Sequence, residues 1–108
     1  MAKKIEYTET QKKLALYAKA LSHPARISIL EKLSSASSCY SGDMAEEIPI
    51  ARSTLSQHLK ELKISGLIQG EIEPPKIKYC INHEYWNQAK KLFTEIFSNI
   101  PKTNKKSC

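Results

Sequence analysis

The chain has 108 residues, 41% of them hydrophobic and 26% charged, which is enough for one domain with its own core and excludes wholesale disorder. No apolar run approaches the roughly 18 residues of a membrane span, and no apolar segment follows the basic N-terminus, so we expect a cytoplasmic protein with neither a membrane helix nor a secretory signal. The formal net charge of +6 lies wholly in residues 1–21 and 101–108, which favours a polyanionic partner and fits a solubilising surface equally well.

Hydrophobic periodicity predicts a helical first half. A capping box followed by apolar residues at helical spacing predicts a helix over 9–20. Pro24 suits the first turn of a helix, and the apolar residues behind it recur every three positions, which predicts a second helix over 24–34. After a serine-rich loop, the sequence favours a very short strand at 39–40 and a short helix over 43–48.

The second half of the chain predicts a longer helix followed by a hairpin. A leucine stripe predicts a helix over 52–65, and Gly66 suits its C-terminal cap. Residues 67–73 and 77–81 read as two strands joined by a proline turn. Asn82 can cap a last helix with an apolar face.

This order of elements predicts a mainly α domain with a small β-hairpin, a winged helix-turn-helix with about five helices plus a wing. The predicted boundaries are a basic N-terminal arm over 1–8, a DNA-binding and dimerisation domain over 9–100, and a flexible basic tail over 101–108.

The helix over 52–65 could lie in a DNA major groove, which is wide enough to admit it. Its outward side chains should be of the types that read base edges or hold phosphates, namely Arg52, Ser53, Ser56, Gln57 and Lys60. His58 either touches a phosphate or fixes this helix against the short helix before it. Lys76 and Lys78 in the wing could add phosphate contacts, although the acids and prolines beside them limit that contribution. The alternative is an ordinary solvated helix face.

Two segments resemble the ArsR/SmtB family of small bacterial repressors. These are residues 20–30, ALSHPARISIL, and residues 53–67, STLSQHLKELKISGL, and the resemblance covers roughly residues 10–97. It implies a dimeric winged helix in which the first and last helices form the interface and the helices over 43–48 and 52–65 bind DNA. Members bind a double-stranded DNA operator when ligand-free and release it on binding a metal or metalloid ion.

The terminal helices carry more apolar surface than a domain this small easily covers, which independently favours a homodimer. The expected interface residues are Leu14, Tyr17, Leu21, Trp86, Phe93 and Phe97. The alternative is that both helices pack only on the core of their own chain.

The cysteines are the candidate inducer site. Some members of the family bind soft ions through Cys-x-Cys, but here Ser41 follows Cys39 at that spacing, and a hydroxyl is a poor ligand for a soft ion. In a winged helix the strand before the DNA-binding pair commonly pairs with the return strand of the wing, which would bring Cys39 near Cys80. Cys108 on the tail could supply a third thiolate, and three thiolates would suit trivalent arsenic. Cys39 and Cys80 could instead be small core residues or a disulfide-forming pair.

We therefore expect a DNA-binding transcriptional repressor that a thiophilic inducer releases from its operator, with arsenite as the first candidate inducer. No cofactor is required, and the inducer would be trivalent arsenic or another soft metal ion. One alternative is a thiol redox-sensing repressor, and another is a protein-interaction module with a vestigial DNA helix. No nucleophile lies in a pattern with a base, so an enzyme is not expected.

Overall fold

The computed structural model describes residues 6–35, 37–73 and 76–99. Within these residues the chain forms four α-helices: α1 (Glu9–Ala20), α2 (Pro24–Ser35), α3 (Arg52–Ser65) and α4 (His83–Ser98). The same residues form three strands: β1 (Cys39–Gly42), β2 (Ile68–Glu73) and β3 (Lys76–Ile81). The predicted winged helix-turn-helix is confirmed. Most of the predicted arm, the proline turn of the wing and the predicted tail lie outside the described residues.

Side-chain caps explain why the helices begin where they do. Thr8 Oγ1 accepts the Gln11 backbone N–H at 3.0 Å while Gln11 Oε1 accepts the Thr8 backbone N–H at 2.9 Å, so the predicted capping box is confirmed. His23 Nδ1 accepts the Ala25 N–H at 3.0 Å and caps α2. Gly66 ends α3 at φ 89°, a left-handed conformation that glycine adopts at little cost.

The short helix predicted over 43–48 is a single 3-10 turn, Met44–Glu46. Asp43 caps it, and its Oδ1 accepts the Ala45 N–H at 3.1 Å. Pro49 disfavours helical dihedrals at Ile48, so only one turn fits before the chain enters α3. The two elements expected to bind DNA, which we call the recognition pair, are therefore one 3-10 turn and one long helix. The described residues form four full α-helices, one fewer than predicted.

The strands form an antiparallel sheet in the order β1-β3-β2. The predicted strand at 39–40 is longer, because Cys39–Gly42 pairs with β3 over four positions. Cys39 lies opposite Cys80, and Cys80 lies opposite Gln69 on its other side. The sheet thus joins the segment before the recognition pair to the return strand of the wing.

The leucine stripe of α3 anchors the core. Leu55, Leu59 and Leu62 are at most 2% exposed, and α3 packs against α1, α2 and β2. Burying these side chains fixes which face of α3 points outward, because residues three and four apart share one side of a helix. In the described part of the chain, no helix is long and apolar enough to cross a bilayer.

Candidate functional site

One face of α3 carries the predicted DNA-contacting side chains. Every member of this set is exposed: Arg52, Ser53, Ser56, Gln57 and Lys60. Their spacing of three and four residues places them on the side of α3 opposite the leucine stripe. This face combines one guanidinium, one ammonium, one amide and two hydroxyls, which are groups that bond to base edges and phosphates.

An ion pair ties the start of α3 to the 3-10 turn. The Arg52 guanidinium contacts the Asp43 carboxylate, with the Arg52 side chain 70% exposed and that of Asp43 24% exposed. The hydrogen bond from Arg52 holds the pKa of Asp43 below its ordinary value, and the Ala45 N–H acts in the same direction. Asp43 thus caps the 3-10 turn and also neutralises the first side chain of α3.

His58 lies on the covered side of α3 rather than on its DNA-facing side. It is 9% exposed, and its Nδ1 accepts the Nε–H of Arg26 at 3.1 Å. This burial corrects the predicted phosphate contact, and the partner that the structure gives His58 is Arg26 of α2. The alternative contact with the short helix stays a prediction. Burial lowers the pKa of His58, and the nearby His23 and Arg26 lower it further.

Arg26 was not among the predicted site residues. Its Nη1 donates to the Lys19 carbonyl at 2.9 Å, so one side chain joins α1, α2 and α3. The available signal was its place in the His-Pro-Ala-Arg segment, two residues after a helix-starting proline, where a long side chain can reach the preceding helix.

In the wing, Lys78 is exposed and lies in register between Ser41 of β1 and Glu71 of β2. Lys76 begins β3 opposite Glu73, and its side chain lies outside the described part. The backbone register thus sets each wing lysine beside an acidic position of β2. That placement fits the expectation that the wing contributes modestly to phosphate binding.

Cys39 and Cys80 form a disulfide across β1 and β3. They are direct register partners with a Cα–Cα distance of 4.0 Å, and the neighbouring Ile81 N–H donates to the Ser38 carbonyl at 2.7 Å. The predicted proximity of the two cysteines is confirmed, and both are half-buried. Cys108 lies outside the described residues.

No group of three His, Cys, Asp or Glu side chains in the described ranges lies close enough together to hold a metal ion. Once reduced, the cysteine pair alone supplies two thiolate ligands. A three-thiolate site for trivalent arsenic therefore needs a donor from elsewhere.

The terminal helices pack on each other within one chain. Tyr17 is 3% exposed and its hydroxyl donates to Gln88 Oε1 at 2.6 Å, so it belongs to the core of its own chain, which corrects its predicted place at a dimer interface. Phe97 is 68% exposed. The remaining predicted interface residues are half-buried: Leu14, Leu21, Trp86 and Phe93. Three of these, Leu21, Trp86 and Phe93, line an apolar groove of about 390 Å³ between α1 and α4.

Comparisons with known proteins agree with this arrangement. The helix-turn-helix domain family matches residues 21–71. The HTH-type transcriptional regulator YgaV of Escherichia coli K12 is 34% identical over 73 residues, covering 68% of this chain and 74% of YgaV. An arsenical resistance operon repressor of Staphylococcus xylosus is 35% identical over 74 residues, covering 68% of this chain and 70% of the relative.

Among solved structures, an ArsR-like transcriptional regulator from Rhodococcus sp. RHA1 superposes with a TM-score of 0.67 at 23% identity, covering 84% of this chain and 85% of that one. At that identity the likeness shows the fold. The sequence relatives carry the assignment further, because two regulators match this chain over 73 and 74 residues at 34% and 35% identity. The chain belongs to the ArsR/SmtB family of winged-helix, DNA-binding transcriptional repressors, a family of regulators and not of enzymes.

Proposed function

We propose that this repressor reads its operator with α3 and is controlled by the thiol state of Cys39 and Cys80. The observation that carries the proposal is the disulfide between register partners on β1 and β3. β1 leads directly into the 3-10 turn and α3, while β3 is the return strand of the wing. A bond between the two thiols therefore joins both parts of the DNA-binding unit.

The exposed face of α3 supports the DNA-reading role. Gln57 can bond bidentately to adenine, Arg52 to guanine or a phosphate, and Lys60 to a phosphate. In a symmetric dimer the two copies of α3 would enter successive major grooves, with half-sites about 34–36 Å apart.

The exposed side chains of α4 support the dimer. Ile96 is 47% exposed and Phe97 68% exposed near the end of the helix, where an apolar surface of this kind is stabilised by a second subunit. The proposed interface pairs α1 and α4 of one chain with the same helices of the other.

Hydrogen peroxide is the class of oxidant that fits the pair. One thiolate attacks an oxygen of the peroxide, the O–O bond breaks, and the thiolate becomes a sulfenic acid while the leaving hydroxide takes up the proton that the thiol had released and becomes water. The second thiol attacks that sulfur, the disulfide forms, and a second water leaves, so two thiols and one peroxide give one disulfide and two waters. Thiols in cytosolic proteins are ordinarily kept reduced, so disulfides there are usually transient and sensory.

The ion pair of Arg52 and Asp43 links oxidation of the two thiols to the affinity of the protein for DNA. In the disulfide-bonded state, β1 is fixed to β3, and Asp43 directly after β1 holds the Arg52 side chain. A neutralised Arg52 attracts phosphate less than a free one. We therefore assign operator binding to the reduced state and release to the oxidised state, a coupling on the order of 1–3 kcal/mol between thiol state and DNA.

Arsenite is the second candidate inducer. One relative is named an arsenical resistance operon repressor, and two adjacent thiols are a good start for a soft trivalent ion. Condensation of arsenous acid with three thiols releases three waters. Because Cys39 and Cys80 supply only two thiols, induction by arsenite requires Cys108 as the third donor. Peroxide needs only Cys39 and Cys80.

The test uses the reduced full-length chain and a duplex that it selects from a random library. Release of this duplex is followed by fluorescence anisotropy during titration with peroxide and, separately, with arsenite. Cys39→Ser and Cys80→Ser should bind the duplex and resist peroxide, whereas Cys108→Ser should release like the parent. A loss of the arsenite response in Cys108→Ser would identify arsenite as the inducer. Release of both single variants at the parent's peroxide concentration would refute control by this pair.

A further inference from the structure

We infer that Arg26 is a positioning residue for DNA reading, because it bonds at once to the end of α1 and to His58 on the covered side of α3. The inference rests on the proposed role of α3 in reading DNA and is independent of thiol control. It concerns the His-Pro-Ala-Arg segment, to which the proposed function gives no role.

The bonds of Arg26 run in two directions. Its Nε–H donates to His58 Nδ1 at 3.1 Å, and its Nη1 donates to the Lys19 carbonyl at 2.9 Å. A guanidinium holds its donors in a rigid planar fork, so the two bonds fix the distance between α1 and α3. Lysine keeps the charge but lacks this fork, so it cannot reproduce both bonds.

His58 is next to Gln57, so this contact lies close to a base-reading side chain. Arg26, His58 and Gln57 line one depression of about 320 Å³ on the surface between α2 and α3. His58 sits on the covered side of α3 and Gln57 on the exposed side. A rotation of α3 that lengthens the Arg26–His58 bond would therefore move the Gln57 amide as well.

The bond depends on a neutral imidazole. Nδ1 can accept from Arg26 only when the ring proton sits on Nε2, and a protonated ring has no acceptor. The groups that face His58 are His23, with ring centroids 4.4 Å apart at the α1–α2 corner, Arg26 from α2, and Glu61, which lines the same depression from α3. Burial, His23 and Arg26 all favour the neutral ring. These effects hold the pKa of His58 below the ordinary histidine value of about 6.5, so the ring is protonated only when the pH falls below that lowered pKa. Protonation should then remove the acceptor and set a second cation against Arg26.

The test measures the affinity of the reduced full-length protein for its selected duplex and for a scrambled duplex between pH 5.5 and 8. Arg26→Lys should weaken binding to the selected duplex about 10-fold at pH 7.5, the cost expected for losing a hydrogen bond to a charged group, and leave scrambled-duplex binding unchanged. His58→Asn keeps an acceptor near Nδ1 and cannot titrate. It should bind within about 3-fold of the parent at pH 7.5 and lose the parent's acid sensitivity.

His83→Asn is the matched control, because His83 is exposed at the start of α4 and does not line the depression that Arg26 and His58 share. It should keep the acid sensitivity of the parent. Thermal melts verify that each variant is folded at 25 °C. Parent-like binding by Arg26→Lys, or the parent's acid sensitivity in His58→Asn, would overturn the inference while leaving the DNA-reading role intact. A parent that selects no duplex would overturn both.

Discussion

Gln57 and Lys60 lie one turn apart on the exposed face of α3, and their side chains predict two different kinds of DNA contact. Gln57→Ala should lose about 1–3 kcal/mol of discrimination between the selected and scrambled duplexes, because an amide can read a base edge bidentately. Lys60→Ala should weaken binding to both duplexes equally and reduce the salt slope by about one, because an ammonium contacts phosphate. Titrations at several salt concentrations measure both effects. Equal loss on the two duplexes for Gln57→Ala would contradict base reading.

For single residues of α3, the sequence correctly predicted which side chains are exposed but misplaced His58. The leucine stripe contained the missing signal, since position 58 lies three residues after Leu55 and four before Leu62, on the buried side of the helix. A histidine was expected among polar residues because of its chemistry, but its partner Arg26 lies 32 residues away in sequence. No local pattern identifies a contact of that separation.

Between elements, the ion pair of Asp43 and Arg52 links the 3-10 turn to α3. Asp43→Asn should tighten binding of the oxidised protein to both duplexes and steepen its salt dependence by about one phosphate contact, because it frees Arg52 while an asparagine can still cap the turn. It should also weaken the response to peroxide. Anisotropy titrations of reduced and oxidised protein measure both changes.

The control for this prediction is the second ion pair of the same turn. Lys32 Nζ lies 2.8 Å from Glu47 Oε2 and joins α2 to the residue after the 3-10 turn. Glu47→Gln removes a carboxylate of the same charge without touching Arg52. If Glu47→Gln tightens binding as much as Asp43→Asn, the effect is one of net charge and the ion pair has no specific role.

The elements themselves were largely predictable, for reasons visible in their caps. Thr8, Asn82 and Gly66 mark helix ends through local bonds or backbone conformation, so the starts of α1 and α4 and the end of α3 could be inferred from sequence. The 3-10 turn was predicted as a longer helix because its acidic residues are typical of a helix start. The turn is shorter in the structure because Pro49 disfavours helical dihedrals at the residue before it. The proximity of Cys39 and Cys80 could be predicted from the fold, but their exact register could not, since strand register is set by tertiary pairing and not by neighbours in sequence. The sequence could not decide between a disulfide and an ion site either, because both need the same two cysteines side by side.

For the whole molecule, the exposed end of α4 predicts the assembly state. Phe97→Glu should yield a folded monomer, because it sets a charge into an apolar interface and leaves the core of the single chain untouched. Sedimentation measures the mass, and binding to a duplex with two half-sites should weaken more than binding to one half-site. Ile64→Glu is the control for the sedimentation measurement and should stay dimeric, since it also sets a charge at an exposed apolar residue, 61% exposed, but at the end of α3. A dimeric Phe97→Glu variant would exclude this end of α4 from the interface.

The disulfide also changes the covalent topology of the molecule. It joins residues 41 positions apart, and the ring that it closes contains the 3-10 turn, α3 and the wing, while α1, α2 and α4 remain outside. Closing a ring of this length lowers the entropy of the unfolded chain by an amount worth about 4 kcal/mol at 25 °C. The oxidation that we assign to operator release would thus also protect the released protein against unfolding. A peptide bond cut in the wing would leave its two fragments as one molecule until a reductant opened the ring.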